Sequence, residues 1–384
     1  MIPYSCQSIS EDDIDAVVKV LRSELLTQGP TIPLFENAIC DYTGSKYGVA
    51  VNSATSALHI ACLALGLGEG DILWTTPNSF VASSNCALYC NAKVDFVDID
   101  PATWNMCVDA LEQKLIYAKK RNLLPKIIIP VHLCGLSCDM EKIQKLSEEY
   151  GFYIIEDASH AIGGYYQGKP IGSSYYSDIT VFSFHPVKII TAGEGGMAMT
   201  NNKDLATKMG LFRSHGITRD GNLMHATPDG PWYYEQVDLG YNYRLTDIHA
   251  ALGLSQFKKV DKFVQKRNDI ANRYDICLQK LPIISQLRPD NYYSAMHLYV
   301  IRLQLNKLER SHLEIFNELR NDILVNLHYM PIHLQPWYKK MGFRKGDFPN
   351  AELYYKEAIS IPCFPNLTGD QFDFVIEKLH NVIN

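Results

Sequence analysis

Two periodicities share the chain. Short runs rich in β-branched and aromatic residues, Tyr47 to Asn52, Lys126 to Val131, Phe152 to Ile155 and Ile179 to Phe184, read as strands buried on both faces. Elsewhere apolar residues recur at helical spacing. Ile14, Val17, Val18 and Leu21 follow a helix start at Ser10 and Asp13, Leu58, Ala61, Cys62 and Leu65 follow Asn52, and a further helix runs from about Asp139 to Tyr150. Strands alternating with helices predict an α/β domain on a parallel sheet.

From Leu245 to roughly Leu281 the helical pattern runs on without a proline until Pro282, which predicts one long connecting helix over about 245–281. Beyond it, a strand at His297 to Leu303, a helix near Ser311 to Arg320, a strand at Ile323 to Tyr329 and a closing helix near Gln371 to Val382 predict a smaller α+β domain. The expected division is 11–250 for the large domain and 251–384 for the small one, with residues 1–10 packing near the latter.

Composition narrows the class. The 384 residues are 47% hydrophobic and 20% charged, enough for a full core and two domains. A net charge of −6 with no long basic run argues against a nucleic-acid partner. Met1 to Ser10 lacks the features of a signal peptide, and the longest apolar run, near Ala57 to Leu67, is too short to span a bilayer; a cytoplasmic protein is expected. The ten cysteines form no CxxC, and Cys134 and Cys138 have no partner at finger spacing, so reduced buried thiols and no metal site are expected.

Three segments carry candidate chemistry. Asn52-Ser53-Ala54-Thr55-Ser56-Ala57 joins a strand to a helix, and free amides with hydroxyls at a helix start suit a phosphate; taken alone, an ordinary Ser/Thr cap accounts for it better. In Ile154-Ile155-Glu156-Asp157-Ala158-Ser159-His160, two carboxylates close an apolar strand and alternation sends them to opposite faces. One of them can therefore face a site at the carboxyl end of the sheet, or else cap the following turn. Lys188 stands alone in the uncharged stretch Phe182 to Ala192, before Gly193-Glu194-Gly195-Gly196. That company suits a desolvated amine nucleophile better than a snorkelling surface lysine. The glycine cluster is not a dinucleotide fingerprint, because it does not follow the first strand.

A phosphate cradle, a carboxylate able to hold a proton on a pyridine nitrogen, and an amine able to form a Schiff base together describe a pyridoxal phosphate site. Here the chain resembles the fold type I sugar aminotransferases of the DegT/StrS family over nearly its whole length. The resemblance is carried by Asn52 to His59, Glu156 to Ala161, Phe182 to Lys188 and Gly240-Tyr241-Asn242-Tyr243-Arg244-Leu245. It implies a large domain with a mostly parallel seven-stranded sheet flanked by helices, and a smaller C-terminal α+β domain. It implies Lys188 as the Schiff-base lysine, Asp157 as the partner of the pyridine nitrogen, and His160 beside the cofactor. Thr55, Ser56 and Ser183 match positions that bind the cofactor phosphate, and Phe80 one that stacks on the ring. The asparagine matching Asn242 reaches the phosphate of a neighbouring subunit, which implies a homodimer with shared active sites.

Within the family the resemblance runs to the transaminases of pseudaminic acid biosynthesis, through Leu26-Thr27-Gln28-Gly29, Phe212 to Gly216, His297-Leu298-Tyr299 and His328 to Ile332. The implied reaction moves an amino group from L-glutamate to C4 of a UDP-linked 4-keto-6-deoxy-N-acetyl sugar, the cofactor cycling through pyridoxamine phosphate. Arg213, Arg244 and His185 are candidate substrate contacts. Alternatives are a transaminase for another keto nucleotide sugar, of amino-arabinose or 3-keto type, or a non-catalytic regulator that binds the cofactor. Members that dehydrate their sugar carry a histidine where this chain has Lys188.

Overall fold

A computed structural model describes residues 1–383. Its centre is a seven-stranded sheet of β1 (Tyr47–Val51), β2 (Ile72–Thr75), β3 (Lys93–Phe96), β4 (Ile127–Ile129), β5 (Tyr153–Asp157), β6 (Ile179–Ser183) and β7 (Gly196–Thr200), in the order β1-β7-β6-β5-β4-β2-β3. β7 runs antiparallel to both neighbours, while β6, β5, β4, β2 and β3 pair parallel. Parallel strands need crossovers, and helices supply them and flank the sheet. They are α1 (Glu11–Leu21), α2 (Thr31–Thr43), α3 (Ala54–Ala64), α4 (Ala82–Tyr89), α5 (Val108–Lys119), α6 (Met140–Tyr150), α7 (Lys203–Arg213), α8 (Asp247–Phe257) and α9 (Val260–Cys277), of which α3 to α6 form crossovers.

The expected fold is therefore present, and the strands not read from the sequence are β2, β3 and β7. Gly48 in β1 and Gly196 in β7 sit where backbone packs closely. A Cβ on Gly196 would lie 2.5 Å from the amide nitrogen of Ala54, so only glycine lets β7 run under the start of α3.

Two sequence expectations fail. The long connecting helix is two helices, broken at Lys258 and Lys259, where Lys259 leaves helical geometry at φ −110° and ψ 5°. Phe257, Val260, Phe263 and Val264 stay buried across the break, so the apolar rhythm hides it. The break aims the Lys259 ammonium at the buried Asp13 carboxylate, 2.8 Å from each oxygen. The strand expected at Ile323 to Tyr329 is regular only over Ile323–Leu324, parallel to Ile2–Pro3, with one further isolated bridge from Asn326 to Ser360. The remainder turns toward the large domain and carries His328 and Tyr329 to the end of the central sheet.

The C-terminal region has its own core, in which Tyr274, Ile301, Phe372 and Leu379 are buried. Its sheet is Ile283–Ser285, Tyr299–Leu303 and Ala358–Ile361, all antiparallel. No helix among the described residues is long and apolar enough to cross a membrane.

Candidate active site

At the carboxyl ends of β5 and β6 lies a cavity of about 300 Å³. Open α/β sheets place ligands there because the loops that leave the strand ends diverge. Each wall follows from local sequence. Ser53 leaves β1 in extended geometry and caps α3, accepting a hydrogen bond from the Ser56 amide at 3.2 Å. That turns Ser53, Ala54 and Thr55 toward the cavity. The Thr55 hydroxyl has no partner among the described residues, and the helix start supplies amides and a positive dipole end.

β5 ends by splitting its two carboxylates. Glu156 points away from the cavity, where His132 Nε2 at 2.8 Å, Ser177 Oγ at 2.5 Å and Thr180 Oγ1 at 3.0 Å donate to it. Burial alone would raise its pKa, but these three donors hold it below the usual carboxylate range. His132 uses its other nitrogen to accept the Cys138 amide at 3.1 Å, which fixes the tautomer that donates to Glu156. Asp157 faces the cavity. Ser83 Oγ donates to one of its oxygens at 2.6 Å and the Ser159 amide to the other at 3.1 Å.

After β6 the chain turns back on itself. Lys188 N–H donates to His185 O and Ala192 N–H to Phe184 O, both at 3.0 Å, while Ile189 and Ile190 are buried beneath the loop. The two isoleucines thus anchor the loop by packing. Lys188 projects into the cavity, and its ammonium makes no hydrogen bond or ion pair among the described residues. Burial lowers its pKa from 10.5 to about 8, and the attraction of Asp157 opposes only part of that shift.

Three buried histidines surround the amine. Burial holds His160 and His297 well below the ordinary histidine pKa, with Lys188 and the neighbouring imidazole adding to it, and His328 falls to about 3. All three are neutral at physiological pH. His160 takes a hydrogen bond between Nε2 and Tyr329 Oη at 3.2 Å, and its Nδ1 is buried without a partner. Phe80 stands at the mouth, 58% exposed, with its ring centre 6.3 Å from that of Tyr329.

Lys188, Asp157, His160, Thr55, Ser183, Phe80 and His185 therefore share one cavity. Ser56 does not join them; its hydroxyl is committed to Asn52 Oδ1 at 2.6 Å and to Ser53. Arg213 and Arg244 are also elsewhere in this protomer. Arg213 forms an ion pair with Glu36 at 2.6 Å and donates to Ala50 O, and Arg244 donates to Ser214 Oγ at 3.2 Å. Asn242 is exposed and lies outside the cavity, in an isolated bridge with Ser214.

Other cavity groups come from distant parts of the chain. Ser83 lies three residues after Phe80 and is legible only as a small polar residue at the start of a helix. Tyr4, His297, His328 and Tyr329 arrive from the chain ends. Ser5 Oγ donates to Val187 O at 3.1 Å, which ties the N-terminal strand to the Lys188 loop.

This arrangement fits pyridoxal phosphate. A buried carboxylate with no cation bonded to it, a desolvated amine, an unpartnered imidazole nitrogen and a helix start with free hydroxyls are the groups that such a cofactor would satisfy. Among the described residues no group of three or more His, Cys, Asp or Glu is placed to hold a metal ion, and all ten cysteines are free thiols.

Comparison with known proteins agrees. Residues 7–380 match the DegT/DnrJ/EryC1/StrS aminotransferase family. A UDP-4-amino-4,6-dideoxy-N-acetyl-beta-L-altrosamine transaminase of Campylobacter jejuni is 40% identical over 385 residues, covering 100% of this chain and 98% of the relative. Helicobacter pylori PseC, an aminotransferase involved in pseudoaminic acid biosynthesis, superposes with a TM-score of 0.89 at 34% identity, covering 99% of this chain and 98% of the other. Spr1654 of Streptococcus pneumoniae, in its PLP form, superposes with a TM-score of 0.88 at 30% identity over 99% and 98% of the two chains. The chain belongs to the DegT/DnrJ/EryC1/StrS family and is a pyridoxal-phosphate-dependent sugar aminotransferase of fold type I.

Proposed function

We propose that this enzyme transfers an amino group from L-glutamate to C4 of a UDP-linked 4-keto-6-deoxy-N-acetylhexosamine, a step of pseudaminic acid biosynthesis. The names borne by the Campylobacter and Helicobacter relatives support the substrate. The observation that carries the chemistry is Lys188: a desolvated amine without a partner among the described residues, in one cavity with Asp157.

Pyridoxal phosphate, when bound, supplies the electron sink that lets a bond at the amino donor's Cα break. The residues supply the rest. Lys188 holds the cofactor covalently and, once free, moves a proton at Cα. With a pKa of about 8, roughly one-tenth of such amines are neutral at pH 7, against about one in two to three thousand for an exposed lysine. Asp157, held by Ser83 and the Ser159 amide, keeps the proton on the pyridine nitrogen. Neutral His160 offers its unpartnered Nδ1 to the ring, and Phe80 covers the ring at the mouth. Thr55, Ser183 and the amides that open α3 receive the phosphate. Asn242, turned away from its own cavity, completes the site of a second subunit in a homodimer.

The discriminating assay offers the purified enzyme glutamate with a panel of UDP- and dTDP-linked 4-keto and 3-keto sugars and identifies the products. The proposal expects the UDP-linked 4-amino product at the highest kcat/KM. Preference for a 3-keto or amino-arabinose precursor would replace it.

A further inference from the structure

Asn242 is exposed between two half-buried tyrosines, Tyr241 and Tyr243. Its segment is extended, with antiparallel bridges from Asn242 to Ser214 and from Arg244 to Val51. Successive side chains of such backbone point to opposite faces, so the tyrosines share one face and Asn242 takes the other. The main chain is held at both flanks. Tyr241 N–H donates to Phe212 O at 2.7 Å, Tyr243 N–H to Arg213 O at 3.0 Å, and Asn52 N–H to Tyr243 O at 2.8 Å.

The tyrosine face rests on His59. The two phenol rings are stacked, 12° from parallel with centres 4.9 Å apart, and the imidazole packs against both, its centre 4.8 Å from Tyr241 and 5.9 Å from Tyr243. His59 Nδ1 and Tyr243 Oη share a hydrogen bond at 3.1 Å, and Tyr89 adds a third ring, edge-on at 5.4 Å. His59 is itself 4% exposed, on α3, among Leu58, Ile60, Ala61 and Cys62, which are all buried in the core. A helix so embedded is a fixed post. An apolar residue would fill this position as well, and what the imidazole adds is the bond to Tyr243.

We propose that His59 is a positioning residue for the neighbouring subunit's site: by clamping Tyr241 and Tyr243 against α3, it fixes the direction in which Asn242 leaves the protomer. This rests on the shared-site reading given above, in which Asn242 completes the site of a second subunit. Thr55 and His59 stand one turn apart on one helix, so α3 serves its own site with its first turn and the partner's with its second.

The test removes the cofactor from the full-length dimer and measures PLP affinity by equilibrium dialysis for the wild type, Asn242→Ala, His59→Leu, Tyr243→Phe and the His59→Leu/Asn242→Ala double variant. His59→Leu is expected to weaken PLP about fivefold and Tyr243→Phe, which keeps its ring, about threefold, the size of one neutral hydrogen bond. The double variant should bind no more weakly than Asn242→Ala, because residues that act through one contact are not additive. Tyr243→Phe decides the matter if His59→Leu lowers the melting temperature. Mixed dimers assign the direction. One subunit carries Lys188→Ala, so that borohydride fixes PLP only on the other, and His59→Leu is expected to weaken labelling more when placed on the silent subunit than on the labelled one. A greater loss at the variant's own site, or wild-type PLP affinity in both His59→Leu and Tyr243→Phe while Asn242→Ala is weakened, would overturn the role of His59 and leave the shared site standing. If Asn242→Ala itself binds PLP like the wild type, the shared-site reading falls and the role of His59 falls with it.

Discussion

Two lysines carry opposite lessons. Lys259 lies at the break between α8 and α9 with both oxygens of Asp13 at 2.8 Å, and that carboxylate also accepts Ser255 Oγ at 2.6 Å, Gln256 Nε2 at 2.7 Å and the Ser10 amide at 2.9 Å. Every lone pair there has a use, and the cluster fastens α1 onto α8. Lys188 lies in a cavity where the nearest carboxylate bonds to serines instead, and its charge is opposed by burial. A satisfied buried charge reads as structure, and an unsatisfied one as a place kept for a ligand. The same contrast separates adjacent residues of β5: Glu156 has three side-chain donors, whereas Asp157 keeps its cavity side for something else.

Substitution sharpens this contrast. Lys188→Ala should lower transamination by at least about 10³-fold, since one residue supplies both covalent attachment and proton transfer. The melting temperature should hold or rise, because a destabilised buried charge is removed. Asp157→Asn should lower turnover by about 10²-fold while leaving the fold intact, as judged by circular dichroism. A loss of folding instead would make Asp157 a second Asp13.

Asp13→Ala should behave in the reverse manner, costing about 3 kcal/mol of stability in denaturant titrations by stranding Lys259, with turnover of the folded fraction little changed. Its pKa is pulled from 3.8 to about 2, against burial, by hydrogen bonds from Lys259, Ser255, Ser10 and Gln256. The stabilisation is therefore present above pH 3.8 and is lost as the pH falls to about 2.

Lys188 differs in that its charged form destabilises the fold, although the slope with pH has the same sign. Between about 8 and 10.5 the cofactor-free folded protein binds fewer protons at this residue than the unfolded chain does, so stability rises with pH across that window. The rise should be missing from Lys188→Met when melting curves of the two cofactor-free proteins are compared. The smallest effect is expected from Ser83→Ala, a few-fold loss of cofactor affinity in dialysis, because Asp157 keeps the Ser159 amide.

What the sequence revealed follows from range. Thr55, Asp157, Ser183 and Lys188, the residues proposed to hold the cofactor, sit at strand ends or just after them, where hydrophobic runs and turn chemistry mark the position locally. Ser83 and Tyr4 are brought in by packing between segments far apart in the chain, and no local signal marks them; Tyr329 lies in the His328 to Ile332 stretch that carries the resemblance, but only packing sets its place in the cavity. Arg213 lies outside the cavity of its own protomer, because residue type declares a charge but not its partner, here Glu36 on α2. Ser56 shows the same limit at short range. Its hydroxyl was available on paper, but the turn spends it on Asn52. The helix break at Lys259 escaped for a related reason, since a tertiary ion pair interrupted a helix whose apolar pattern continued.

The central claim is that Lys188 is the residue that holds the cofactor. Borohydride reduction of the PLP-loaded enzyme, followed by peptide mass mapping, tests it most directly. The account predicts that the peptide containing Lys188 carries the reduced pyridoxyl phosphate, and that prior addition of glutamate abolishes the labelling. Labelling of a different lysine, or labelling of Lys188 that glutamate does not prevent, would contradict it.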